Sequence, residues 1–415
     1  MNERFEIELT AASFGGDCVG RLPDGKTLFV PFGIVGERVE IEIVEEKRNY
    51  ARGRITKVIQ PSPKRIQPRC PHFMECGGCH YQHLAYADQL ALKQEIVAGQ
   101  LKRIGKIDDP PVRSIVPSPV EWNYRNTVQF HLSPNGKPGF QRAGARGVVE
   151  IRECHLPLPS INYLWPKLEL DPRTGIERFS IRCGSDDELL LGLESSQPRP
   201  PEFEVDFPLS VVFQGVDDTL LLSGEDFSLM QVKDRTFRVS AGSFFQVNLP
   251  QAAAMVEHVL DGLNPGKNDL LVDAYCGAGL FSAFIAPSVK KVIGIELSES
   301  SCNDYAVNLD EYDNVELYIG AVEQVLPELK IKPTAVILDP PRAGLDPAAL
   351  AGLIQSAPRR IAYVSCDPST LARDIQKLIA SGYQLESVTP FDLFPQTYHV
   401  ECVAFLSLIA PSAEE

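Results

Sequence analysis

An α/β fold is predicted for this chain, preceded by a small β-barrel and a β-rich middle section. Three observations carry that prediction. From residue 236 onward, apolar runs of strand length alternate with helical patterns, the signature of a doubly wound, Rossmann-like sheet. Before residue 60, short alternating runs are separated by Gly and Pro turn signals, as in a small barrel. Between the two, strand patterns recur with a single helical pattern among them. A length of 415 residues also exceeds what one core usually serves, so three units are expected, at 1–60, 61–235 and 236–415.

In the first unit, Phe5-Glu-Ile-Glu-Leu9 alternates, and Gly15-Gly16 and Asp24-Gly25 mark turns. Thr27–Pro31, Arg38–Val44 and Ala51–Ile59 read as strands, the last ended by Pro61-Ser-Pro63. Such short strands suit an OB-like barrel, a frequent nucleic-acid platform. A net charge of -15 argues against a polyanionic partner when taken alone. Between Glu45 and Cys70, however, eight Lys or Arg stand against two Glu. A local basic stripe matters more to a polyanion than the global sum. The polar N-terminus does not read as a signal peptide, and the run from Leu270 to Val289 is broken by Asp273, Gly, Ser and Pro. No membrane association is expected, and the chain is expected to be cytoplasmic.

Ten cysteines in a cytoplasmic chain favour metal binding or catalysis over disulfides. Cys70, Cys76 and Cys79 form a C-x5-C-x2-C cluster, and Cys154 stands apart in Arg152-Glu-Cys-His155. Three clustered thiolates and one distant one supply the ligands of a [4Fe–4S] cluster. A four-cysteine zinc site is the rival, although only one C-x2-C pair is present. From Leu84 to Ile104, Tyr86, Leu90, Val97, Leu101 and Ile104 share a helical face, broken by Lys93 on its apolar side. Asp108–Pro119 reads as a linker, a β-meander runs from Trp122 to Ile151, and residues 194–208 look like loop.

In the third unit, Leu270–Asp273 is a strand that enters the turn Cys276-Gly-Ala-Gly279, and Val292–Glu296 is a strand ending in an acid. A Gly-rich turn with a carboxylate roughly 20 residues on is the logic of nucleoside binding, the acid taking ribose hydroxyls. Ser282 fills the third glycine position, which disfavours a pyrophosphate and points to adenosine without phosphates, hence S-adenosylmethionine. Strands at Val315–Ile319 and Thr334–Leu338 follow, the latter leading into Asp339-Pro-Pro-Arg342. Ile361–Val364 delivers Cys366 to the end of a strand, with Ser369 and Thr370 available to cap the next helix. A thiolate is stabilised at such a place, and a buried structural Cys is the alternative. Glu401 lies inside the apolar run Tyr398–Leu406, so it is either paired structurally or held for proton transfer.

Taken together, Ser365–Asp374, Asp339–Arg342, Asp273-Ala-Tyr-Cys-Gly277, Phe244-Phe-Gln-Val-Asn248 and His399-Val-Glu401 resemble the RNA 5-methyluridine methyltransferase family. The early glycines, Phe29-Val-Pro31, Gly36-Glu37 and Pro61-Ser-Pro63 resemble the TRAM domain. With the four cysteines, the resemblance spans nearly the whole chain and leans toward the branch acting on 23S rRNA, since the tRNA enzymes usually lack both parts. It implies a class I methyltransferase domain in which Cys366 adds to carbon 6 of uracil and Glu401 later removes the carbon 5 proton. Gln246, Tyr275, Glu296 and Asp339 are implied to contact S-adenosylmethionine, with Asp339 alternatively orienting the uracil. Leu280 stands where many relatives carry Asn, so it is given no cofactor role. The implied partner is RNA, ribosomal first, and the implied state is a monomer. Competing readings are a tRNA uridine enzyme, a non-catalytic RNA-binding factor and a radical enzyme, whose C-x3-C-x2-C is absent.

Overall fold

A computed structural model describes residues 4–200, 208–216 and 218–409. The first sheet contains β1 (Arg4–Glu8), β2 (Ala11–Ala12), β3 (Asp17–Arg21), β4 (Thr27–Pro31), β5 (Arg38–Glu46) and β6 (Tyr50–Gln60) in the order β1-β5-β6-β4-β3-β2. Residues 4–12 form one bent stretch whose first half pairs with β5, Phe5 opposite Ile41, and whose second half pairs with β3, Ala12 opposite Cys18. Both edges of the sheet are therefore the same piece of chain, and the barrel closes around Leu9, Leu28, Val30, Val39 and Ile41. A Cβ at Gly33, just past β4, would fall 2.2 Å from Leu9 Cδ1, so a larger residue there would have to displace the Leu9 side chain from the barrel core. Much of the basic stripe is matched by acids: Lys47 pairs with Glu45, Arg52 with Asp17, Arg54 with Glu42, Lys64 with Asp88 and Arg65 with Glu37.

The cysteine-bearing segment leads into α1 (Tyr86–Arg103). The second sheet holds β7 (Thr127–Leu132), β8 (Pro138–Gln141), β9 (Val148–Glu150), β10 (Ile176–Cys183), β11 (Leu189–Ser195), β12 (Ser210–Gln214) and β13 (Thr219–Ser223). Its order is β13-β12-β11-β10-β7-β8-β9, with α2 (Pro159–Leu164) against one face. Residues 201–207 of the expected loop at 194–208 lie outside the described residues, and β11 already occupies its start. The hairpin of β14 (Phe227–Val232) and β15 (Arg235–Ser240) packs Met230, Val232, Phe237 and Val239 into the core of the third sheet.

That third sheet follows the expected alternation: α3 (Leu249–Leu263), β16 (Leu270–Ala274), α4 (Leu280–Ile285), β17 (Lys291–Glu296), α5 (Glu299–Asn308), β18 (Val315–Ile319), α6 (Val322–Glu328), β19 (Ala335–Leu338), α7 (Pro347–Ser356), β20 (Arg360–Ser365), α8 (Pro368–Ala380), β21 (Tyr383–Phe391) and β22 (Glu401–Leu408). The order is β18-β17-β16-β19-β20-β22-β21, parallel except for β22, which runs antiparallel to both neighbours. Helices cover both faces, giving two apolar layers.

Helix α1 belongs to this third core: Val97 and Leu101 pack with Leu371, Ala372 and Ile375 of α8. The expected linker runs beside β21, with Arg113 N donating to Val388 O at 2.8 Å and Val116 N to Pro390 O at 2.9 Å. Lys93, which broke the apolar face, is fully buried and donates to Asp392 Oδ1 at 2.6 Å and Phe394 O at 3.1 Å. Helix α8 is capped by Asp367, not by Ser369 or Thr370. Its carboxylate accepts from Ser369 N at 2.8 Å and Thr370 N at 3.2 Å, with Pro368 in the first turn. No helix among the described residues is long and apolar enough to cross a membrane.

Candidate active site

A cavity of about 560 Å³ opens at the carboxyl ends of the parallel strands. Gln246, Tyr275, Glu296, Asp339, Cys366 and Glu401 all line it, so every residue singled out as catalytic or cofactor-binding meets the same space. Strand register makes the decisive pair. Ser365 of β20 lies opposite Cys402 of β22, which sets Cys366, just past β20, beside Glu401, the first residue of β22. Asp339 follows β19, and its N–H donates to Ala274 O at 3.3 Å.

The turn after β16 is left-handed at Tyr275 (φ 65°), which lets Tyr275 N and Cys276 N both reach Ile295 O at 2.9 and 3.1 Å. Glu296 then accepts from Gly277 N, Leu297 N and Ser298 N at 3.0, 2.8 and 2.7 Å, fixing its carboxylate at the lip. Gly279 (φ 90°) precedes α4, and a Cβ there would meet Leu309 at 2.4 Å. Ser282 donates through Oγ to Asp273 Oδ2 at 2.6 Å, so its side chain is turned into the core. Gln246 is steadied from the second sheet: Asn126 donates to Gln246 O, and Arg182 reaches Ser240 O and Ser243 O. Phe244, two residues earlier, is 69% exposed at the cavity mouth.

Charge in the cavity is unbalanced toward acid. Burial, then Glu401 and Asp339, pushes the Cys366 thiol up to about 12, opposed by the Arg342 guanidinium. Burial and Asp339 hold the Glu401 carboxyl well above the usual range, again opposed by Arg342. Burial and Asp273 raise Asp339 to about 7, and burial raises Asp273 to about 7 against its Ser282 hydrogen bonds. Acids that raise one another in this way suit a cationic ligand, and the sulfonium of S-adenosylmethionine is one. Sequence reasoning gave Arg342 no role, although it stands in the Asp339–Arg342 motif as the cation facing both reactive groups.

The four metal-candidate thiols, Cys70, Cys76, Cys79 and Cys154, line a second cavity of about 190 Å³ between the 70–79 segment and the second sheet. Among the described residues, no group of three or more His, Cys, Asp or Glu is placed to hold a metal ion. The thiols share a cavity but do not close on one point, as tetrahedral zinc would require. Burial raises all four, Cys154 to about 11, and Arg125 opposes this at Cys79 and Cys154. A cationic centre among them would reverse that balance. Of the nearby histidines, His72 Nε2 accepts from Arg152 N at 3.0 Å, and a His83 ring nitrogen bonds Gly33 O at 3.2 Å.

Comparison with known proteins agrees with this geometry. The model of the tRNA (Uracil-5-)-methyltransferase family matches residues 214–409, and that of the TRAM domain matches residues 2–56. A protein of Synechocystis sp. named as an RNA methyltransferase is 32% identical, over 97% of this chain and 96% of its own length. Another so named, from Streptomyces coelicolor, is 34% identical over 98% and 93%. The chain belongs to the RNA 5-methyluridine methyltransferase family. Members of this RNA methyltransferase family thus align with it across the barrel, the cysteine segment and the catalytic sheet together. The fold is shared with a solved Pyrococcus abyssi tRNA (uracil-54, C5)-methyltransferase in complex with S-adenosyl-L-homocysteine. The TM-score is 0.74 at 24% identity, covering 96% of this chain and 99% of that one.

Proposed function

We propose that this enzyme methylates carbon 5 of a specific uridine in RNA, 23S rRNA first, through a covalent Cys366–uracil intermediate. The observation that carries the reading is the strand register that sets Cys366 beside Glu401, with Arg342 and Asp339 facing both in one cavity. Carbon 5 of uracil is a poor nucleophile until a group adds at carbon 6. Arg342 favours the thiolate of Cys366, whose addition to carbon 6 places an electron pair at carbon 5. Bound S-adenosylmethionine supplies an electrophilic methyl and a positive charge that favours the ionised forms of Asp339, Cys366 and Glu401. Tyr275, Glu296 and Gln246 would hold and orient its nucleoside end, and Asp339, in the same cavity, would contact the cofactor or orient the uracil. Glu401 then takes the carbon 5 proton, the carbon–sulfur bond breaks, and the thiolate of Cys366 leaves. The basicity that burial gives Glu401 suits removal of a proton from carbon.

A cleft of about 820 Å³ supports an RNA substrate. It is lined by Phe29 and Arg52 of the barrel, Arg103 of α1, Arg142 of the second sheet and Ser369 beside the active site. Stacking and phosphate contacts of these kinds bind single strands, and the target base must leave its stack. The four thiols would hold a [4Fe–4S] cluster that fastens the 70–79 segment to the second sheet, which anaerobic iron and sulfide analysis tests. A tRNA substrate is the second reading, because the Pyrococcus tRNA enzyme shares the fold over 96% of this chain.

Incubation with S-adenosylmethionine and 5-fluorouridine-substituted cellular RNA tests both points. Fluorine at carbon 5 cannot be abstracted as a proton is, so an adduct on Cys366 persists under denaturing conditions, and its RNA can be sequenced. Absence of any adduct with cofactor bound overturns the covalent mechanism. A captured rRNA or tRNA fragment names the substrate. Cys366→Ala is expected to abolish both adduct and methylation.

A further inference from the structure

The connection between β21 and β22, residues 392–400, ends at Glu401, which pairs with Phe391 where the hairpin closes. Its middle residue, Gln396, is left-handed at φ 70° and only 2% exposed. A residue with a side chain holds that conformation only where its surroundings over-determine it. Here they do so through four hydrogen bonds. Gln396 N donates to Gln89 Oε1 at 3.0 Å, and Gln89 Nε2 donates to Gln396 Oε1 at 2.9 Å. Gln396 O accepts from His80 N at 2.8 Å and Tyr81 N at 3.0 Å. Gln89 is itself buried and braced by a second donation to Leu84 O at 3.0 Å. Other anchors of the connection bind its carbonyls, Tyr124 reaching Pro395 O, Lys93 Phe394 O and Asn248 Leu393 O, and Lys93 also holds the Asp392 carboxylate.

We propose that Gln89 and Gln396 are positioning residues for Glu401, a clasp that sets where the carboxylate stands relative to the Cys366–uracil adduct. The inference rests on Glu401 acting as the base. Nothing in the clasp touches Cys366 or lines the cofactor cavity. Addition of the thiol and transfer of the methyl therefore need no clasp. Proton removal from carbon 5 does, because a base displaced by about 1 Å loses up to about 100-fold in rate. The predicted signature is specific: the methylated adduct forms at the parental rate and is released slowly.

The test is single-turnover methylation of the RNA captured by the fluorouridine trap, transcribed without modification, with methyl-labelled S-adenosylmethionine. Denaturing gels separate labelled protein–RNA adduct from free methylated RNA. Glu401→Gln is the reference and is expected to accumulate adduct. Gln89→Met keeps the side-chain volume, and Gln396→Gly keeps a residue at ease in the left-handed conformation, so one of the two folds even where the other does not. Both are expected to form adduct within about twofold of the parent and to release it at least about 10-fold more slowly. Parental release in both variants, with adduct accumulating in Glu401→Gln, overturns the clasp. Equal slowing of adduct formation and release marks a general structural loss and overturns it too. No accumulation in Glu401→Gln overturns the assignment of the base, and the clasp falls with it.

Discussion

Burial opposes ionisation of both Cys366 and Glu401, Asp339 opposes it at both, Glu401 opposes it at Cys366, and Arg342 favours the ionised form of both. In the ligand-free protein the thiol, pushed up to about 12, is expected to alkylate slowly near neutrality and faster as pH rises. Peptide mass spectrometry after iodoacetamide treatment follows this at the single residue. Arg342→Met removes the opposing cation and should slow alkylation several-fold, whereas Asp339→Asn should speed it. Asp273 titrates near 3.8 when free and near about 7 in the fold, so between those values the folded chain binds more protons than the unfolded one. Its contribution to stability is complete at acid pH and is lost as pH rises toward 7. The Tm advantage of the parent over Asp273→Asn should accordingly shrink as pH rises through that window. Cys366 and Glu401 were legible in the sequence because each is chemically out of place: a thiol ending a strand, an acid within an apolar run. Arg342 was not, since a cation after Pro-Pro reads as solvated loop. Gln89 and Gln396 were not either, since they meet across 307 positions.

At the scale of elements, alternation between apolar runs and turn signals located most strands of the first and third sheets. It failed where a strand lacks β-branched alternation. Asp17-Cys-Val-Gly-Arg21 of β3 contains a glycine that reads as a turn, and β21 ends in Thr389-Pro-Phe391, which reads as a break. Pro390 is tolerated because β21 is the edge strand: its carbonyl accepts from Val116 N on the outer side, so its missing N–H falls on that side and costs the ladder with β22 no hydrogen bond. The cap of α8 was misassigned by two or three residues because Asp367, Ser369 and Thr370 are all good capping types, and only backbone geometry shows that the last two already lie in the first turn. Asp367→Ala removes two accepted hydrogen bonds and is expected to lower stability by about 1 kcal/mol, measured by urea unfolding. Ser369→Ala, whose side chain is not the cap, should leave stability nearly unchanged.

For the whole molecule, the N-terminal barrel and the C-terminal doubly wound sheet were legible, whereas the separate two-stranded sheet of β14 and β15 and the partner of α1 were not. An amphipathic helix declares that it has an apolar face without declaring which core receives it. The structure gives α1 and residues 112–116 to the third sheet, with the fully buried Lys93–Asp392 pair at the seam. Lys93→Met leaves Asp392 buried with its charge unmatched and is expected to cost about 3–5 kcal/mol by denaturant unfolding. Pairing it with Asp392→Leu should recover most of that loss. The paired acids along the barrel's basic stripe also mean that any polyanion bound there would have to compete with Asp17, Glu37 and Glu42 for Arg52, Arg65 and Arg54.

Lys93 and Asp392 are separated by 299 positions, which gives their ion pair a meaning in time. During synthesis the barrel can close as soon as its six strands have emerged, since its core of Leu9, Leu28, Val30, Val39 and Ile41 is its own. Helix α1 emerges soon after, yet the acid for its buried lysine is made 299 positions later, and α8 and β21 of its receiving surface only shortly before that. Until then an apolar stripe carrying a cation waits in water for β21 and β22. The connection that ends this wait, residues 392–400, runs directly into Glu401, so the growing chain acquires the acid for Lys93 and its proposed base in one short stretch. Chains released short of β22 would carry Cys366 without the group proposed to set its adduct free.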